Sequence, residues 1–416
     1  MQLASPGRPH LTYCTNIHPG ESLAEVRAAV AEHVPRVKAE LGASGPFGVG
    51  LRLSARAAEE LAQGDALDRF RALLAEHALY VFTINGFPHG AFHGTRVKEA
   101  VYRPDWREDA RVAYSDRLAW LLAALLPDGV HGSISTVPGA FRERSGAPSD
   151  RAEIVERLLR HAATLARIRE QTGKLVELAL EPEPSCFLET TDDALRFFET
   201  ELFAPAACRR FAELTRLSVV DAGTFLRRHV GVCVDACHLA VEFEDAATAV
   251  GKLEQAGIRV GKIQITTALA LDLTGEPSRD EPTLRALERF ADGVYLHQVV
   301  ERRGDRLTRH VDLPDALALA RATPGSGPSE WRVHFHVPVF ASSVAPFRST
   351  QPFLRDLLAL QRKRCISEHL EVETYTWDVL PPEHRTENVD AAIARELRFT
   401  LAELGALGDA VPGGGR

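Results

Sequence analysis

The sequence predicts an α/β fold, a single (β/α)8 barrel with a structured insertion between its seventh and eighth strands. Three observations predict it. Short runs rich in Val, Ile, Leu and Thr alternate with long helical ones along the chain. The short runs are close to continuously apolar, as strands of a parallel sheet buried under helices must be. Several of them end on a carboxylate or an amide, at the end of the barrel where active sites of this fold lie.

In chain order the strand candidates are residues 11–18, 47–54, Leu79–Asn85, 132–137, 175–181, Val230–Asp235, 260–266 and 370–375. Ser22 followed by Glu25 forms a capping box that opens a helix over Leu23–Leu41, and Asp150 with Glu153 is expected to open another over 151–171. The run 105–126 carries Leu118, Leu121, Leu122 and Leu125 at helical spacing, so one of its faces is apolar. The stretch between the last two strands is far too long for one helix and its loops, and an insertion over about 268–367 is expected there. Inside it, 294–302 and 306–311 alternate around Gly304 and Asp305 as a hairpin, a short helix follows near 314–322, and 331–340 reads as a further strand. That makes nine candidate strands, so either one lies outside the ring or the register is misread. Residues 1–410 are expected to form one domain, followed by a disordered Gly-rich tail over 411–416.

Composition narrows the function. With 45% hydrophobic and 25% charged residues the chain has the material for a large core. A formal charge of -8 argues against a nucleic-acid partner, which selects for clustered Lys and Arg. No run has the length of a membrane span or of a signal-peptide core. The six cysteines, Cys14, Cys186, Cys208, Cys233, Cys237 and Cys365, form no CxxC pair and read as reduced thiols of a cytoplasmic protein. A small-molecule substrate is the expected partner, and the oligomeric state is left open.

The chemistry sits at the strand ends. On the fifth strand Glu177, Ala179 and Glu181 share a face, and Pro182 ends the strand with Glu181 looking into the barrel mouth. Glu183, past the proline, reads as a surface loop residue. The sixth strand closes on Asp235, and His238 follows three residues on, although an Asp here also suits a helix cap. On the seventh, Lys262, Gln264 and Thr266 face one way, a row that is costly to bury without partners. The eighth turns Glu371, Glu373 and Tyr375 inward. Carboxylates crowded at one mouth repel each other unless a cation neutralises them. A divalent ion (Mn, Zn, Mg or Fe) is therefore expected, held by Glu181, Asp235, Gln264 and Glu373. Of His334 and His336, which alternate around Phe335, His336 is expected to reach the ion; the alternative is a histidine bonded within the insertion.

The loop after the third strand carries Asn85, His89, His93, Arg96 and Lys98 among glycines. Together with Asn16, His18 and Arg52 at the first two strand ends, and Lys262, its Asn85, His89 and His93 are candidates for holding substrate oxygens or a phosphate, with ordinary polar loop residues as the alternative. The spacing is not that of a P-loop.

At these residues the chain resembles the xylose isomerase-like TIM barrels, whose sugar epimerases hold one divalent ion with Glu, Asp, His and Glu at the ends of strands five to eight. Glu181, Asp235 with His238, and Glu373 match that pattern, while Gln264 stands where the family has His. The runs 10–21 (HLTYCTNIHPGE), 47–54 (FGVGLRLS), 83–93 (TINGFPHGAFH) and 371–377 (EVETYTW) are similar to EboE-type metabolite traffic proteins, associated with handling a secondary metabolite. The resemblance implies a metal-dependent isomerase or epimerase of a small sugar, polyol or cyclitol, with Glu181 and Glu373 as acid/base pair and His238 holding substrate oxygens. Two alternatives remain: a phosphoester hydrolase, if His297, His334 and His336 assemble a second ion, and a non-catalytic metabolite carrier.

Overall fold

Apolar runs bounded by capped helices produce a ring of parallel strands in the computed structural model, which describes residues 1–145, 147–323, 327–385 and 387–410. The ring begins with β1 (His10–Tyr13), β2 (Phe47–Arg52), β3 (Leu79–Asn85), β4 (Gly132–Thr136), β5 (Val176–Leu180), β6 (Val230–Asp235) and β7 (Val260–Ile265). An excursion follows with β8 (Leu269–Leu273), β9 (Val299–Arg303), β10 (Arg306–His310), β11 (Ser329–Val333), β12 (Ser343–Val344) and β13 (Phe347–Ser349), after which β14 (His369–Val372) completes the ring. The ring order is β1-β14-β7-β6-β5-β4-β3-β2, with parallel pairing throughout. A TIM barrel is the result.

The seam between β1 and β2 is closed by one bridge, Cys14 to Gly50. The Thr12 hydroxyl fills the gap beside it, donating to the Gly48 carbonyl at 2.7 Å and accepting from the Gly50 amide at 3.1 Å. Glycine is required at position 50: a Cβ there would lie 2.1 Å from Glu371 Oε1 and 2.6 Å from the Tyr13 carbonyl.

The helix Leu23–Leu41 opens with the Ser22–Glu25 capping box, as expected. The helix expected over 151–171 starts earlier, at Pro148, because Asp150 accepts from the Ala147 amide at 2.9 Å and so acts inside the first turn. The helix expected from 105 starts at Asp109; Asp105 instead holds Arg107 through a 2.8 Å ion pair. The first and last strands are shorter than expected, since 3-10 turns at Thr15–Ile17 and Tyr375–Val379 take over their ends.

The excursion is a second sheet, ordered β10-β9-β11-β8-β13-β12, with a core of its own that includes Leu271, Trp331, Val333 and Phe335. The hairpin expected around Gly304 and Asp305 joins β9 to β10, with Gly304 at φ 58°. The ninth candidate strand belongs here: β11 ends at Val333, so His334 and His336 lie on the extended segment beyond it and not on a strand. The insertion also ends before residue 367. The helix Gln351–Arg364 buries Leu354, Leu357 and Leu358 in the barrel core and is part of the outer helical layer. Among the described residues no helix is long and apolar enough to cross a membrane, and all six cysteines are unbridged. The tail, 411–416, lies outside the described residues.

Candidate active site and metal centre

Strand ends bring three carboxylates together. Glu181 directly follows β5, Asp235 ends β6 and Glu373 directly follows β14, and one oxygen of each lies within 4.8 Å of the others. All three are buried. Asp235 Oδ1 is fully used: it accepts from the Cys237 amide at 2.7 Å, the His238 amide at 3.1 Å and the Thr266 hydroxyl at 2.6 Å. This makes Asp235 the cap of the helix Ala236–Val241 and leaves Oδ2 with no hydrogen-bond partner. The cap uses one oxygen of the group, and the other is left open.

Glu373 Oε1 accepts from the side-chain amides of Asn16 at 2.5 Å and Asn85 at 2.7 Å. These two bonds fix the carboxylate, and they come from beyond the neighbouring strand β1 and from the end of β3. Glu181 Oε2 is buried without a partner. Burial pushes the Glu181 carboxyl well above the usual range, and the Glu373 and Asp235 charges push it further. Glu373 is raised by burial and then by Asp235 and Glu371. Among the described residues, no Lys or Arg pairs with any of the three; the charged-partner distances run only to His238, 3.9 Å from Glu181 and 3.8 Å from Asp235. Such a group needs protons or a cation, and the open oxygens of Glu181 and Asp235 suit a divalent ion.

Three histidines border the same space. His238 Nδ1 faces the Pro182 carbonyl at 3.0 Å, His336 Nδ1 faces the Glu373 carbonyl at 2.8 Å, and His334 Nδ1 faces Gln298 Oε1 at 2.7 Å. Burial holds His336 down to about 4 and His334 well below the usual histidine range.

The trio opens on a narrow cleft lined by Asn16, Asn85, Glu181, Glu183, His238, His334, His336, Glu373 and Tyr375, with Phe87, Phe92 and Val97 as its apolar wall. Glu183 corrects the sequence reading. It is not a surface residue; it is buried and accepts from the Tyr102 hydroxyl at 2.7 Å and from Gln298 Nε2 at 3.1 Å.

Several expected substrate-binding residues point elsewhere. Of the seven, Asn16 and Asn85 line the cleft; His18, Arg52, His89, His93 and Lys262 do not. The turn at Thr15–Ile17 sends Asn16 inward and His18 outward, where His18 stacks on His33 at 4.0 Å between centroids. Arg52 is held by Glu21 at 3.0 and 3.1 Å and by the Gly90 carbonyl at 2.5 Å. His89 packs edge-on against Tyr114, and His93 against Phe92. Lys262 forms a fully buried ion pair with Glu371 at 2.7 Å inside the barrel. The loop after β3 therefore offers the cleft mostly apolar side chains. Its Lys98 pairs with Asp312 at 2.6 Å and ties the loop to the excursion, and Arg96 is exposed.

Gln264 is fully buried; its oxygen accepts from the Cys233 thiol at 3.1 Å and its amide nitrogen has no partner. On β7 it is Thr266, just past the strand, that touches Asp235. The sequence row 262-264-266 contained that residue, but nothing marked it above Gln264. His297 is excluded from the cluster, since its ring nitrogens face the His334 carbonyl at 2.9 Å and Asp292 at 2.5 Å.

No family model and no curated protein matches the chain. Among solved structures, it is similar to a xylose isomerase-like TIM barrel protein from Mycobacterium smegmatis in complex with magnesium, at 12% identity, with 95% of this chain and 99% of that one covered and a TM-score of 0.47. It is similar to an L-ribulose 3-epimerase at 12% identity, 96% and 95% coverage and a TM-score of 0.46. An IOLI protein with a binding zinc atom aligns at 13% identity, 95% and 98% coverage and a TM-score of 0.44. None of these bears on the likeness to metabolite traffic proteins, and the chemistry of the site rests on its own geometry.

Proposed function

We propose that the chain is a divalent-metal-dependent isomerase or epimerase of a small sugar, polyol or cyclitol-type metabolite. The observation that carries this reading is the Glu181–Asp235–Glu373 trio: three buried carboxylates whose oxygens lie within 4.8 Å, at the mouth of a cleft that also presents two amides and a tyrosine. A divalent ion held by these residues would supply a Lewis acid for a neighbouring hydroxyl and carbonyl. Glu181 and Glu373 are the acid/base pair. One carboxylate takes the proton from the carbon beside the carbonyl, leaving an enediolate. The other returns a proton to the opposite face or to the adjacent carbon, so no oxidant or co-substrate is consumed. Asn16 and Asn85 hold Oε1 of Glu373, which orients its other oxygen for that work. The apolar wall of Phe87, Phe92 and Val97 keeps water from the enediolate.

Phosphoester hydrolysis is less well supported. Among the described lining residues Lys98 is the one Lys or Arg, and Asp312 already holds it. A phosphate would meet acidic groups with no unpaired Lys or Arg among the described lining residues. The test is proton exchange: metal-loaded protein is incubated with a panel of ketoses and inososes in deuterated water, and loss of the carbon-bound proton is followed by NMR. Exchange that falls by about 100-fold or more in Glu181→Gln supports the reading. Absence of exchange across the panel, with metal bound, points to the carrier alternative.

A further inference from the structure

We infer that the mouth contains a second cation position, built from imidazole nitrogens and sharing Asp235 with the carboxylate trio. It concerns cation binding only and does not require the isomerase reading. The argument is one of tautomers. Gln298 Nε2 donates to Glu183 Oε1 at 3.1 Å and to the Pro184 carbonyl at 3.0 Å, both acceptors, so its oxygen is the atom that faces His334. His334 Nδ1 must then carry the proton and donate it at 2.7 Å. His238 Nδ1 donates to the Pro182 carbonyl and His336 Nδ1 to the Glu373 carbonyl by the same logic. A neutral imidazole that donates from Nδ1 presents a lone pair at Nε2. All three residues are buried.

Those lone pairs converge. His238 Nε2 and His334 Nε2 are 3.3 Å apart, with no proton of their own to place between them. His336 Nε2 is buried without a partner, and so is Asp235 Oδ2. One ligand atom each of Asp235, His238 and His336 lies within 4.8 Å of the other two. Two facing acceptors and two orphaned ones, all on buried side chains, call for a donor or a cation among them. Histidines that donate Nδ1–H to carbonyl groups while presenting Nε2 are oriented as metal ligands are. Nitrogen donors with one carboxylate favour a borderline ion such as Zn²⁺ or Co²⁺, whereas the oxygen-only trio suits Mg²⁺ or Mn²⁺.

The experiment uses chelator-stripped full-length protein titrated with Zn²⁺, with ions per chain counted by elemental analysis and the ligands read by zinc-edge X-ray absorption. Two ions per chain with imidazole scattering is the expected result. His336→Gln and His334→Ala should each remove one ion and the imidazole signal, while Glu181→Gln should keep that signal. A wild-type protein that binds one ion without imidazole scattering overturns the inference and leaves the carboxylate site, and the isomerase reading, standing. The wild-type measurement decides even if a variant does not fold.

Discussion

His336 donates its Nδ1–H to the main-chain carbonyl of Glu373 at 2.8 Å, and the Thr376 hydroxyl donates back to the His336 carbonyl. Through this pair the excursion is fastened to the last carboxylate of the ring. His336→Ala is expected to weaken metal binding and to lower the melting temperature. His310→Ala is expected to do neither, because His310 lies on β10 beside Trp331, away from the cleft. Equal binding isotherms for the two variants would reduce the His334–His336 segment to scaffold.

Metal content is expected to depend on the strand-end carboxylates. Glu373→Gln keeps an oxygen for the amides of Asn16 and Asn85 to bond, and Asp235→Asn keeps a cap for the helix Ala236–Val241. Both should therefore preserve far-UV circular dichroism while weakening the ion by about tenfold or more, the usual effect of losing a charged ligand or its support. Glu183→Gln, whose carboxylate is already held by Tyr102 and Gln298, should cost less. Gln264→Leu should retain the ion, since the Gln264 oxygen is bonded to Cys233. Full occupancy in Asp235→Asn would show that the site is wrongly placed.

The ring was legible because a strand buried on both faces needs an apolar run, and a polar residue closing such a run has few places to go but the mouth. Glu181, Asp235 and Glu373 follow from that rule. Asn16 reaches the mouth by another route, a 3-10 turn at Thr15–Ile17 that an apolar strand pattern running to residue 18 does not signal. Glu183 was misread because a residue after a proline looks like loop, while its burial comes from Tyr102 and Gln298, far off in sequence. Arg52 looked like a substrate binder for the same reason: its partner Glu21 lies in another loop, and local pattern carries no sign of the pair. The alternation around Phe335 does hold, since Phe335 packs into the excursion core while both histidines face the cleft, but the chain there is an extended loop.

Part of the pH dependence of stability should trace to Glu396. Its Oε1 accepts from the Val339 amide at 3.0 Å and the Thr374 hydroxyl at 2.7 Å, joining the segment after His336 to the residue after Glu373. Burial pushes its carboxyl up to about 7, against those two bonds, which favour the anion. The folded protein then holds this proton more tightly than the unfolded chain does. The linked stability is full below about pH 4.5 and is lost as pH rises toward 7, by up to about 3 kcal/mol. Glu396→Gln should flatten that part of the curve in denaturant titrations at pH 5 and 7.5. An unchanged difference between the two pH values would assign the effect to another group.

Lys262 and Glu371 form the one ion pair among the described residues with both side chains at 0% exposure. Burial works against the charge on Lys262, and Glu371 at 2.7 Å together with the neighbouring Cys233 and Cys14 thiols raises its pKa on balance. The other oxygen of Glu371 is buried without a partner, so loss of Lys262 leaves the carboxylate uncompensated. Lys262→Met should therefore leave a stranded carboxylate and cost about 3–5 kcal/mol. Lys262→Met with Glu371→Leu removes both charges and should be less destabilised than the sum of the two single variants, since neither ion is then left alone. Lys262 lies outside the cleft lining, so the folded double variant Lys262→Met with Glu371→Leu, which adds no net charge beside Glu373, should still bind ligands. A stable variant with weakened ligand binding would return Lys262 to the substrate site, where the sequence alone had placed it.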